Sequence, residues 1–411
     1  MVKLNIILYR MWKEKFKHYL LLISIVGLFF LQSCSDEEPV LPPEPTTLVT
    51  YDKVFSRTKE EIEILIGFAG VEELKQYMEY DITVYSVTYK TKYLDEEIIA
   101  SGLITFPDFT GEIPMLSFQH GTITRHLDAP TSDLNFYGIL SSFSSAGYIF
   151  CIPDLLGFGS STDILHPYYH YESSADPIVD ILLAAKELSE ILNYSFNGDV
   201  FLAGYSEGGY ATMAGHKMME ETSPSGLNLI ASAPASGGYD IKGMQEYFFS
   251  RENYHEPYYL GYVALSYKHV YEVSSILTDI FKEPYSTEIP DLFDGSLTGG
   301  QINENLTNVM ADLLQADILA NIDTDPKYKY INDAFAANSL HEFVPNKKIM
   351  MYHGTADITV PYQNSLDTYN SMIQKGASTE ILSFIPLEDA THESGVLPYA
   401  VHMIEAFDAL K

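Results

Sequence analysis

Tryptophan is almost missing from this chain, cysteine is scarce, and basic residues are heavily outnumbered. Its 411 residues hold one Trp (Trp12), two Cys (Cys34 and Cys151) and 24 Lys plus Arg against 56 Asp plus Glu, a net charge of −32. Two cysteines build neither a disulfide framework nor a Cys-based metal site. Such an excess of acid repels phosphate backbones and excludes nucleic acid as a partner. Charged residues make up 19% and hydrophobic ones 46%, which excludes a disordered chain and permits a sizeable core. No internal repeat is visible. The length suits one large or two ordinary domains. What is plentiful is aromatic: 31 Tyr and 22 Phe.

The N-terminus reads as an address. Lys3, Arg10, Lys13, Lys15 and Lys17 precede the apolar run 19–31, YLLLISIVGLFFL. Thirteen apolar residues suit a signal-peptide core and are too few to span a bilayer comfortably. Leu31-Gln32-Ser33-Cys34 follows and resembles a bacterial lipobox, with Gln32 where a small residue is usual. The acidic run Ser35-Asp36-Glu37-Glu38 resembles the surface-export signal of Bacteroidetes lipoproteins. That resemblance implies a signal peptide over 1–33, lipid on Cys34, and a membrane partner through that anchor. It also implies an outer-membrane lipoprotein exposed at the cell surface. The alternative is an ordinary secretory signal with a chance Cys. Residues 34–48, rich in acid and Pro, read as an extended tether. Trp12 would be lost with the signal, leaving a mature protein without Trp. Cys151, inside the apolar GYIFCIP, reads as a buried inert thiol.

Beyond residue 48 short apolar runs alternate with helical patterns. Runs at 81–90 and 97–106 predict a hairpin, antiparallel at one edge of a sheet. Runs at 113–118, 147–153, 199–204, 228–233, 347–352 and 380–385 predict further strands. Helices are expected near 133–146, 176–192, from 207, and over 397–410. Strands so separated predict an α/β protein, with a mostly parallel central sheet covered by helices on both faces. Residues 240–343 break the rhythm and read as a helical cap or lid insertion between the two core parts, 49–239 and 344–411. Its tyrosines (Tyr247, Tyr254, Tyr258, Tyr259, Tyr262, Tyr267, Tyr271) suit stacking on a ligand and equally a cap interior.

Chemistry concentrates in a few short motifs. Gly204-Tyr205-Ser206-Glu207-Gly208 fits G-x-S-x-G, after an apolar strand and before a helix rich in small residues. The sharp turn needs glycines flanking Ser206, and the N–H of Glu207 would be free to hold an oxyanion. His353-Gly354-Thr355-Ala356-Asp357-Ile358-Thr359-Val360-Pro361 ends a later strand. His392 lies 35 residues after Asp357, in the loop beyond the next strand. A weakly nucleophilic serine needs a base, and the base an orienting acid.

These motifs resemble the α/β-hydrolase superfamily, whose chain order is Ser, acid, His. The resemblance implies that fold, with Ser206 as nucleophile, Asp357 as orienting acid and His392 as base. Asp389 is an alternative acid within the His392 loop. His120-Gly121-Thr122 resembles the loop that donates the second oxyanion N–H, implying Thr122 with Gly121 next, and a structural side chain at His120. Pro153-Asp154-Leu155-Leu156-Gly157-Phe158-Gly159-Ser160-Ser161 fits PD-x-x-G-x-G-x-S, and His166-Pro167-Tyr168 resembles the secretory-lipase-like branch. The resemblance covers roughly 80–235 and 345–410. It implies a serine hydrolase cleaving carboxylic esters, lipid- or glycan-linked or small, through an acyl-enzyme and without metal or organic cofactor. The histidines show no H-E-x-x-H spacing. Two alternatives remain: a peptidase on the same fold, and a non-catalytic surface lipoprotein that binds glycan or lipid.

Overall fold

The computed structural model describes residues 46–411. The expected signal peptide, Cys34 and most of the tether lie outside the described residues. Nine strands form one sheet: β1 (Leu48–Arg57), β2 (Ile82–Tyr93), β3 (Glu96–Pro107), β4 (Glu112–Gln119), β5 (Ile149–Pro153), β6 (Ser195–Tyr205), β7 (Asn228–Ala235), β8 (Lys348–Gly354) and β9 (Leu382–Leu387). Their spatial order is β1-β2-β3-β5-β4-β6-β7-β8-β9. From β5 to β9 every neighbouring pair is parallel, whereas β1, β2 and β3 join antiparallel. The expected hairpin is β2–β3, paired in continuous register from Ile82↔Pro107 to Tyr93↔Glu96.

We number the helices of eight residues or more: α1 (Lys59–Phe68), α2 (Tyr171–Ile191), α3 (Glu207–Thr222), α4 (Ile241–Phe249), α5 (Tyr258–Val270), α6 (Tyr285–Leu292), α7 (Lys329–Asn338), α8 (Tyr362–Gln374) and α9 (Val396–Asp408). Strand side chains alternate between two cores, as a period of two requires. Phe201 and Ala203 of β6 pack with Ile62, Ile66, Met403 and Phe407 of α1 and α9. Val200 and Leu202 of the same strand pack with Ile178, Ile181 and Leu188 of α2. Helices therefore cover both faces, and the fold is that of an α/β hydrolase.

Three expectations need correction. The tether does not run to residue 48: the amides of Thr46, Thr47 and Leu48 all donate to the Glu187 carboxylate, and Leu48 opens β1. The sheet edge is β1 and not the hairpin, because Leu48–Arg57 pairs outside β2. The segment near 133–146 is a five-residue helix, Phe136–Leu140, continued by a 3₁₀ turn, Ser141–Ala146. Cys151 is free and buried within β5, where burial pushes its thiol pKa up.

Between β7 and β8 lies the helical insertion. Tyr254, Tyr258, Tyr262 and Tyr267 are buried among Leu265, Ile289, Phe293 and Ile331, while Tyr271 is exposed. Most of these rings are therefore the interior of the insertion. The insertion shares its core with Ile349 and Met351 of β8 and with Tyr210 and Met213 of α3.

Candidate active site

The strand β6 ends at Tyr205 and α3 begins at Glu207, so one residue makes the whole turn. Ser206 accordingly takes φ 61° and ψ −124°, outside both helix and strand regions. Glycine is required on both sides of it. A Cβ on Gly204 would meet the Gly208 carbonyl oxygen at 2.3 Å, and one on Gly208 would meet that of Gln119 at 2.0 Å. The N–H of Ser206 donates to the Ala235 carbonyl at 2.9 Å, which ties the elbow to β7.

Three loops at the carboxyl ends of β6, β8 and β9 bring the expected residues together. His392 Nε2 lies 2.9 Å from Ser206 Oγ, and its Nδ1 lies 2.6 Å from Asp357 Oδ2. The other carboxylate oxygen of Asp357 accepts from the amides of Thr359 and Val360, each at 3.0 Å. Burial opposes charge on Asp357, but hydrogen bonds from His353 and His392 outweigh it and hold the carboxyl at about 2. With the carboxylate ionised, Nδ1 must donate, so Nε2 is left to accept the serine proton. Asp389 is different: it is exposed, and no hydrogen bond joins its carboxylate to His392 among the described residues.

Gly121 lies against the elbow, where a Cβ would stand 3.5 Å from Ser206 Cβ. The amides of Gly121 and Thr122 donate no hydrogen bond among the described residues. Glu207 opens α3, so its N–H has no carbonyl one turn back. Both sides of Ser206 thus offer unspent backbone donors. His120 is buried, with Nδ1 2.8 Å from the Gly121 carbonyl and Nε2 3.0 Å from that of Asp154. It pins the loop from behind.

Sequence reading missed two partners of the triad. His353 Nε2 sits 3.2 Å from Asp357 Oδ2, and its Nδ1 lies 2.6 Å from Ser365 Oγ. The His-x-x-x-Asp spacing carried that signal. Tyr205 OH donates to the His392 carbonyl at 2.8 Å, a contact no motif announces.

A cavity opens beside Ser206 and runs into the insertion. Tyr169, Ile241, Met244, Phe248, Val263 and Ile276 supply much of its apolar wall.

The secretory lipase family matches residues 131–407 of this sequence. The chain belongs to the secretory lipase family. As a secretory lipase it is an ester-hydrolysing enzyme, and the membership points to a secreted protein. A Legionella pneumophila protein described as a hydrolase is 28% identical, with TM-score 0.80 over 89% of this chain and 98% of its own. The rice cell wall degrading esterase LipA from Xanthomonas oryzae is 22% identical, with TM-score 0.77 over 89% and 97%. Candida antarctica lipase A in its closed state is 16% identical, with TM-score 0.64 over 89% and 82%. The last two likenesses concern the fold alone. No curated protein sequence matches the chain.

Proposed function

We propose that this secretory lipase cleaves carboxylic esters by acyl transfer through Ser206. The supporting observation is the unbroken hydrogen-bond chain Asp357–His392–Ser206. In this reading His392 Nε2 takes the Ser206 proton as Oγ attacks the ester carbonyl. The amides of Glu207 and of Thr122, with Gly121 next, hold the negative oxygen that forms. His392 then gives its proton to the departing alcohol, leaving an acyl-enzyme. Water enters, gives a proton to His392 and attacks the acyl carbon, and His392 returns that proton to Ser206 Oγ as the acid leaves. Asp357 keeps Nδ1 protonated throughout and does not itself take the proton.

The acyl part of the substrate is apolar. The cavity beside Ser206 is walled by aliphatic and aromatic side chains and carries no charged residue in its lining, which suits a hydrocarbon chain better than a peptide. The insertion over 240–343 acts as a cap that selects that chain. The N-terminal pattern supports a lipid anchor on Cys34 that holds the enzyme at the outer membrane, and loss of membrane retention in Cys34→Ser tests it.

The deciding experiment is fluorophosphonate labelling read by peptide mass spectrometry, beside a p-nitrophenyl acetate-to-palmitate series. Label on Ser206 with turnover that rises with chain length is expected. An active wild-type enzyme labelled elsewhere, or Ser206→Ala with wild-type turnover, overturns the reading.

A further inference from the structure

His166-Pro167-Tyr168 takes no part in the triad, yet its two outer side chains reach both sides of the elbow. His166 is 6% exposed. Its Nδ1 lies 2.5 Å from the Leu156 carbonyl and its Nε2 2.5 Å from Glu207 Oε1. A carbonyl oxygen only accepts, so Nδ1 donates to it, and Nε2 is left to hydrogen-bond the Glu207 carboxyl. Glu207 is 2% exposed, and its second oxygen has no hydrogen-bond partner among the described residues. The imidazole is therefore the whole anchor of that side chain. Glu207 is also the residue whose amide faces the developing oxyanion.

Two residues on, Tyr168 does the same for the opposite donor. Its hydroxyl lies 2.8 Å from Thr122 Oγ1. Its ring is stacked on Tyr262 of α5, with centroids 4.5 Å apart and planes at 13°. Tyr262 in turn stacks on Phe293 at 4.7 Å and meets His166 at 5.5 Å, the planes tilted by 53°. Pro167 fixes its own φ between the two, which limits the freedom with which one can move against the other.

We propose that His166 and Tyr168 are positioning residues for the two halves of the oxyanion hole, His166 through the Glu207 carboxylate and Tyr168 through the Thr122 hydroxyl. This inference rests on acyl transfer at Ser206 with the amides of Glu207 and Thr122 as donors. Oxyanion stabilisation depends on donors held in place before charge develops, so a small displacement lowers kcat while ground-state binding persists. The ring of Tyr262 beneath both side chains makes the cap part of that bracket.

The test compares Tyr168→Phe, which removes one oxygen and keeps the stack, with His166→Gln. Each is measured for kcat and KM on a p-nitrophenyl ester and for affinity toward an alkyl trifluoromethyl ketone, whose hemiketal places an anionic oxygen in the hole. The corresponding secondary alcohol, which forms no oxyanion, is the ground-state comparison. Each variant should lose about tenfold in kcat and about the same factor in ketone affinity, with KM and alcohol binding within about twofold of wild type. Because the two side chains touch each other and share Tyr262, the double variant should lose less than the product of the two single losses. If His166→Gln melts far below wild type, Tyr168→Phe alone decides. Unchanged kcat, or equal losses in ketone and alcohol binding, overturns the inference while wild type is still labelled at Ser206. Wild type that turns over ester without label at Ser206 overturns the proposed mechanism and this inference with it.

Discussion

The sheet and the insertion bury polar atoms in opposite ways. The buried carboxylates Asp154, Glu207 and Asp357 and the buried imidazoles His120, His166, His170, His216 and His353 all lie outside 240–343. Inside the insertion the buried polar side chains other than tyrosine are Gln245, Ser266, Ser286 and Asn338. There the work passes to phenols: Tyr254 OH donates to the Thr359 carbonyl at 3.0 Å and Tyr267 OH to that of Tyr169 at 2.9 Å. A buried charge is tolerated only with fixed partners, and a rigid sheet supplies them. Asp154 shows it, with Ser101 Oγ at 2.5 Å and the amide and hydroxyl of Thr131 at 2.8 and 2.7 Å. A neutral phenol needs one acceptor and buries a large apolar ring. The insertion therefore walls its cavity with neutral groups, while the buried charges lie in the sheet and its loops.

The largest expected effect tests the charged side of that division. Asp357→Asn should lower kcat about 10⁴-fold with little change in KM, because the amide favours the wrong His392 tautomer. Steady-state kinetics on a short p-nitrophenyl ester measures it, and a larger loss from Asp389→Asn would reverse the choice of acid. His353→Gln should cost less, about tenfold in kcat, since Asp357 keeps His392 and two amides. The same change has a consequence in acid. Asp357 sits at about 2, so it contributes stability above the usual carboxylate range, and that stability is lost as pH falls toward 2. Without His353 the carboxyl rises toward its unfolded value, so less stability is lost between about pH 4 and pH 2, and a melting series should show the smaller drop.

On the cap side, Val263→Trp should fill the cavity. The palmitate-to-acetate ratio of kcat/KM should fall about tenfold, while the labelling rate of Ser206 by a short-chain fluorophosphonate holds. A fall in both would mean that cap and chemistry are not separable at this position.

The core was legible because its physical demands leave marks in the sequence. A one-residue turn demands Gly204 and Gly208, and strands buried on both faces demand runs such as VFLAG. The loops after β6, β8 and β9 could thus be ordered without coordinates. β1 was not legible: as an edge strand with most side chains exposed, it shows neither a continuous run nor alternation. The insertion reads as helical, but its individual helices could not be placed, several being of four to six residues and too short for a helical period. His166 and Glu207 are 41 residues apart, and only the fold shows that they meet.

The smallest effect probes the rule that core carboxylates are held by partners, at a place where it is strained. Asp180 lies on α2, one turn after Asp176, and both carboxyls are raised to about 6. Burial is the main cause for each; at Asp180 the Thr91 hydroxyl works against it, the charge of Asp176 adds to it, and Lys92 opposes it last and least. A carboxyl raised in the folded state binds its proton more tightly there than in the unfolded chain. Folding is then favoured at low pH, and that advantage is lost as pH climbs from about 4 through about 6. Asparagine stays neutral and escapes the penalty. Asp180→Asn should therefore stabilise the protein by about 1–2 kcal/mol at pH 8, after allowance for partial exposure, and by close to nothing at about pH 4. Urea unfolding at the two pH values measures the difference. An equal gain at both would trace the effect to packing, and a loss at pH 8 would mean that Thr91 and Lys92 hold Asp180 as firmly as Ser101 and Thr131 hold Asp154.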